Sequence, residues 1–132
     1  MPHFSESSKE KLATCHYDLQ RLFNEVIKHV DCKIICGERG REEQTKAFED
    51  GKSKVQYPNG KHNKRPSEAV DCIPYPIDWK GINRLYMFVG YVRGVANSMG
   101  IKIRCGADWD GDFEVKDQTF DDLPHFELVK TK

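Results

Sequence analysis

The sequence has no surplus of charge of either sign: 21 Lys and Arg are matched by 21 Asp and Glu. That balance argues against a protein that works through a broad basic face on DNA or an anionic lipid surface, so no nucleic-acid partner is expected. No apolar run approaches the roughly 20 residues needed to span a bilayer, which excludes direct membrane insertion through a helix. The start, MPHFSESSKEK, lacks the apolar core of a secretory signal. Cysteine is scarce and odd in number: Cys15, Cys32, Cys36, Cys72 and Cys105 are irregularly spaced. Reduced, mostly buried thiols are expected of them, not a disulfide framework. What is present, seven Phe, five Tyr and two Trp in 132 residues, argues against disorder. The expectation is one small domain over 1–132, monomeric, with a flexible tail over about 1–6, made in a reducing cytoplasm.

Periodicity orders the chain. Ser7 and Glu10 have capping-box spacing, and Leu12, Cys15, Leu19, Leu22, Phe23, Val26, Ile27 and Val30 recur at helical intervals behind them. One amphipathic helix over about 7–30 is therefore expected. Residues 32–36 are β-leaning and stop at Gly37, and 41–50 form a short helix ending at Gly51. Residues 51–66 are a long polar loop, a kind of segment that tends to carry function. A strand over 69–75, a helix over 82–99 and a strand over 101–105 follow. An acidic loop, 106–123, leads to a last strand over 125–130. Helices and strands mix without a regular βαβ repeat, which predicts an α+β fold with helices packed on a small, largely antiparallel sheet.

Of the five histidines, His3, His16 and His29 read as tail or helix-surface residues. His62 and His125 differ. His62 lies in the polar loop ahead of the strand that carries Asp71, and His125 opens the last strand, three residues after Asp122. Two imidazoles and a carboxylate from separate elements are the donor set of a catalytic zinc with a fourth position left for water. The Asp108-Trp109-Asp110-Gly111-Asp112 run invites a calcium reading, but its spacing fails the EF-hand pattern, and a solvated acidic loop is the better expectation. Cys72 follows Asp71 and should turn to the opposite face as a buried thiol. Cys32 and Cys36, four apart on a strand, should share one face; with no second cysteine pair nearby they make no zinc site.

The segment from His62 to Asp71, HNKRPSEAVD, resembles the first zinc-binding motif of the zinc D,D-carboxypeptidase and L-alanyl-D-glutamate endopeptidase family, which includes phage endolysins. Asp122-Leu123-Pro124-His125-Phe126-Glu127 is similar to its second motif, and Gly37-Glu38-Arg39 with Gln44 resembles the family's Gly-Tyr-Arg and following Gln. The order of the three motifs holds from about Ile34 to Leu128. The chain departs from the common pattern in a longer His62-to-Asp71 spacing, in Gly60 in place of a Ser, in Glu38 in place of the Tyr, and in an Asp at 122 where much of the family has Glu.

The resemblance implies a Hedgehog/DD-peptidase-like fold with His62, Asp71 and His125 as ligands of one zinc ion. It also implies Asp122 as the general base; should that residue prove dispensable, Glu127 and Glu68 are the next candidates. Arg39 would stabilise the oxyanion or hold a substrate carboxylate, since a guanidinium is always charged and forks onto oxygens. Gln44 and Trp109 are the candidate substrate-binding residues. The implied activity is hydrolysis of bacterial peptidoglycan stem peptides, most of all at the L-alanyl-D-glutamate bond, by a phage endolysin that needs a separate holin-type pore to leave the host cytoplasm. The alternatives are a D-alanyl-D-alanine carboxypeptidase and a non-catalytic zinc-binding domain of Hedgehog type.

Overall fold

A computed structural model describes residues 2–108 and 122–129; Trp109 and the rest of 109–121 lie outside the described residues, as does the side chain of Asp122. In chain order the elements are α1 (Glu6–Ala13), α2 (Tyr17–Val26), β1 (Cys32–Cys36), α3 (Arg41–Glu49), a 3-10 turn (Lys61–Asn63), β2 (Ala69–Pro74), α4 (Ile82–Ser98), β3 (Ile103–Gly106) and β4 (Asp122–Leu128). The sheet order is β1-β2-β4-β3 with every neighbour antiparallel, so the expected α+β architecture is present.

The single long helix expected over 7–30 is two helices. Ser5, not Ser7, caps α1, its side chain accepting from the Ser8 N–H at 3.1 Å. After Thr14 the backbone is diverted into pairing with Ser67, through His16 N–H to Ser67 O at 2.8 Å and Ser67 N–H to Thr14 O at 2.9 Å. Those donors and acceptors are lost to a continuous helix, and His16 starts α2 by accepting from Asp18 N–H at 3.0 Å. Helical periodicity survives across the break because both halves pack on one core. Nor are the first residues a free tail: Phe4 is buried in that core.

Leu19, Leu22, Phe23 and Val26 of α2 and Leu85, Phe88, Val89, Val92 and Ala96 of α4 cover one face of the sheet. Phe126 of β4 stands at its centre, with ring centroids 5.5 Å from Phe23 and 6.3 Å from Phe88, both edge-to-face. A fully buried Phe stabilises by about 1.5–3 kcal/mol relative to an exposed one. Val70, Cys72 and Cys105 join this face, and burial pushes the Cys15 and Cys105 thiols up to about 12.

Two strand details depart from simple alternation. The last strand begins at Asp122, earlier than expected, because Asp122 pairs with Gly106. The register shift between Cys105 and Gly106 lets Pro124 sit where no ladder N–H is required. In β1 the register shifts between Ile34 and Cys36. Cys32 stays on the core face, whereas Cys36 is turned to pair with Asp71 on the other face. The two thiols therefore do not share a face, since one extra residue inverts everything beyond it.

Candidate metal centre

The ladder that builds the core also builds the site. Val70 pairs with Phe126 on the apolar side, so Asp71 must pair with His125 on the opposite side. The 3-10 turn brings His62 over this pair: Arg39 N–H donates to His62 O at 2.7 Å, which fixes the turn against the loop after β1. His62, Asp71 and His125 thereby converge, with one ligand atom of each within 4.8 Å of the others, and all three are largely buried.

The distances suit a tetrahedral ion. His62 Nε2 lies 3.2 Å and His125 Nδ1 3.3 Å from Asp71 Oδ1. Donors bound at about 2.0–2.1 Å around a tetrahedral zinc stand about 3.3 Å apart. The other ring nitrogens are already assigned. His62 Nδ1 lies 2.7 Å from Gly37 O, and His125 Nε2 lies 2.8 Å from Glu127 Oε1. A carbonyl and a carboxylate can only accept, so these nitrogens carry protons, and a cation bound beside Asp71 would displace the protons of the inward nitrogens and take up their lone pairs. This is the arrangement that orients imidazole ligands on a metal. The donor set, two neutral nitrogens and one carboxylate, fits zinc.

Gly37 is required by close approach: a Cβ there would collide with the Lys11 carbonyl and the Thr14 hydroxyl. Only without it can the Gly37 carbonyl lie under His62.

Electrostatics tie the cluster together. Burial opposes the Asp71 charge, but the imidazoles of His62 and His125 hold its carboxyl well below the usual carboxylate range. Burial likewise lowers His62, but Asp71 outweighs it and pushes the imidazole up to about 10 in the absence of a cation. His125 is raised in the same way by Asp71 and Glu127 against its burial. Glu127, despite burial, is held below its ordinary value by His125 and then Arg104, which donates to its Oε2 at 2.9 Å.

Arg39 reaches the centre, with Nη2 3.4 Å from Asp71 Oδ2 and Nη1 donating to Gln44 Oε1 at 3.1 Å. Gln44 stands behind Arg39. It is buried, and its amide donates to Val55 O at 2.6 Å and Ser53 Oγ at 2.9 Å while its oxygen accepts from Arg39. These bonds orient Arg39 and pin the 53–55 loop. Glu127, expected only as a fallback base, is committed to His125 and Arg104. Neither it nor Arg104 stood out in sequence. The legible signal was alternation, which puts Glu127 on the face of His125. Asn63 donates to Arg39 O at 2.9 Å and was also missed. Asp108 is buried and paired with Arg93 Nη1 at 3.1 Å, so it is not the solvated residue expected at the head of the acidic run; the remainder of that run lies outside the described residues.

Asp122 opens β4, and two cavities flank the cluster of His62, Asp71 and His125. One of about 880 Å³ has Arg39, Asp71, Trp79 and Leu123 in its walls, and one of about 530 Å³ has Arg39, His62, His125 and Glu127. A substrate chain laid across both would pass the cluster.

Comparison with known proteins gives the family and the fold. Residues 1–129 match the family described as phage L-alanyl-D-glutamate peptidase. The L-alanyl-D-glutamate peptidase of Escherichia phage T5 is 30% identical over 135 residues, covering 96% of this chain and 97% of that protein. The fold is similar to the crystal structure of the Serratia marcescens L-Ala D-Glu endopeptidase ChiX, with a TM-score of 0.75 and 24% identity over 96% of this chain and 90% of the other.

Proposed function

The chain belongs to the phage L-alanyl-D-glutamate peptidase family, and from that premise we propose that it is a zinc peptidase cutting the bond between L-alanine and D-glutamate in peptidoglycan stem peptides. The observation that carries the metal is the His62, Asp71 and His125 cluster, whose outer ring nitrogens are both committed to acceptors.

His62 Nε2, His125 Nδ1 and an Asp71 oxygen would hold the ion. Bound there, zinc supplies Lewis acidity, polarising the scissile carbonyl and bringing a water pKa towards about 7. Asp122 is the general base: it takes the proton of the attacking water and returns it to the D-glutamate amine as the peptide bond breaks. Arg39, held by Gln44 and beside Asp71, donates to the carbonyl oxygen as negative charge develops on it. Glu127 and Arg104 keep the His125 ring in its tautomer. Trp109 is assigned to the substrate groove.

In its biological setting the protein acts as a monomeric endolysin in host lysis, made in the host cytoplasm and reaching the wall through a holin-type pore. Among the described residues no helix is long and apolar enough to cross a membrane. Digestion of purified muropeptides followed by mass spectrometry tests the reaction. The expected products end in L-alanine on the sugar side and begin with a D-glutamate amine on the other. Release of D-alanine instead would make it a carboxypeptidase, and no cleavage by the zinc-loaded protein would make it a non-catalytic metal-binding domain.

A further inference from the structure

The two cavities that meet at Arg39 differ in charge. In the larger, the carboxylates of Glu43, Asp50 and Asp71 balance Arg39, Lys46 and Lys52, and Lys46 lies 3.6 Å from Asp50. Its remaining wall is apolar, with Ile35, Trp79 and Leu85. Among the described residues that line the smaller, five cations, Arg39, Lys52, Lys54, Lys61 and Arg104, stand against one carboxylate, Glu127. That carboxylate is already held by His125 and Arg104. Cations gathered in a concave, low-dielectric wall focus a positive potential on whatever enters.

Arg39 holds Asp71, Arg104 holds Glu127, and Lys61 donates to Leu128 O with Glu68 3.8 Å away. Lys52 and Lys54 lie on the loop that buried Gln44 pins at Ser53 and Val55, the residues on either side of Lys54. Ser53 N–H and Lys52 N–H are further tied to Ala47 O at 3.1 and 2.8 Å. Among the described residues the Lys52 ammonium pairs with no carboxylate. The backbone of the loop is thus fixed where Lys52 and Lys54 line the cavity.

The substrate supplies the complementary group. A D-glutamate acylated on its amine has two carboxyl groups; one continues the stem peptide and the other stays a carboxylate, or a carboxamide where it has been amidated. We propose that the smaller cavity is a carboxylate subsite for the leaving half of the substrate, with Lys52 and Lys54 as its specificity residues. The stem peptide then crosses the centre in one direction, its L-alanine end over the Trp79 cavity and its D-glutamate end among the lysines. The carboxylates of Glu43 and Asp50 disfavour the reverse. This assignment rests on the reaction proposed above.

Two peptides spanning the L-alanyl-D-glutamate bond, differing only in a free or amidated D-glutamate carboxyl, test it. The wild type should cleave the acid about tenfold or more faster in kcat/KM, the size of one charge-assisted hydrogen bond. Lys52→Gln combined with Lys54→Gln should abolish that preference by slowing the acid alone, and the paired Lys→Arg variant should restore it. Lys28→Gln, a remote lysine paired with Glu25, controls for net charge. Equal rates in the wild type, or a preference that survives the paired Gln variant, would overturn the subsite. Calorimetry with the D-glutamyl product peptide in both forms needs no turnover. Tighter binding of the acid product with neither peptide cleaved supports the subsite and removes the reaction. Cleavage at the stated bond without preference does the opposite, and product binding indifferent to the carboxyl overturns the subsite whether or not cleavage occurs.

Discussion

On β2 and β4, Val70, Cys72 and Phe126 enter an apolar core with Phe23 and Phe88, while Asp71, His125 and Glu127, one residue along the same strands, form a charged network on the other side. The first face is held by non-directional burial, in which volume matters and partner identity matters little. The second is held by directional pairs between particular atoms: Gly37 O with His62, Glu127 with His125, Gln44 with Arg39. A slip of one residue in the β2–β4 register would exchange the two faces, so the apolar side fixes the register that the metal side depends on. The lesson is a division of labour in which the core face decides whether the chain folds and the polar face decides what it does.

Breaking chemistry without folding should give the largest effect. Asp122→Asn should reduce turnover of muropeptides by about 10²–10⁴-fold while zinc content and Tm stay at wild-type values; a fully active Asn variant would mean the base is elsewhere. The converse break is Phe126→Ala, which should lower stability by about 3–5 kcal/mol in urea titrations. Zinc per folded chain should then remain near one by elemental analysis. A smaller effect is expected one bond away from the metal. Glu127→Gln keeps the shape but weakens the hold on the His125 ring, and should reduce zinc affinity by about 10–100-fold in a chelator competition, with far less change in Tm.

The polar face also titrates, and the apolar one does not. Without a metal, Asp71 raises His62, against its burial, from 6.5 to about 10. The stabilising charge pair is therefore complete below pH about 6.5 and lost as the pH rises through about 10. The Tm of chelator-treated protein should fall across that window. In the zinc-loaded protein the metal takes the place of those protons, so the decline should vanish and zinc should instead leave as the pH is lowered. The mildest test is thiol labelling of the native protein. Cys36, only half-buried on the polar face, should react with a water-soluble disulfide reagent before the four buried thiols of Cys15, Cys32, Cys72 and Cys105. All five should label after denaturation, and a mass showing fewer free thiols would count against reduced cysteines.

Much of this was legible before any fold was known, because it depends on local rules. Helical spacing located α2 and α4, β-branched runs located β1 and β2, and strand alternation separated Asp71 from Cys72. The chemistry of imidazole and carboxylate, with the motif order, singled out His62, Asp71 and His125. What the sequence could not decide were the features set by bonds between distant residues. The break between α1 and α2 exists because Thr14 and His16 pair with Ser67, and Ser67 is out of reach of any local pattern. The turn of Cys36 towards Asp71 depends on a bulge, and the early start of β4 depends on Gly106. That Gln44 also ties down Val55 and Ser53 depends on a loop closure that no local pattern shows. Residue type and periodicity state which groups are available and which side of an element they take. Which partner each group meets is decided only when the loop closures and strand registers bring remote backbone and side-chain atoms within hydrogen-bond distance.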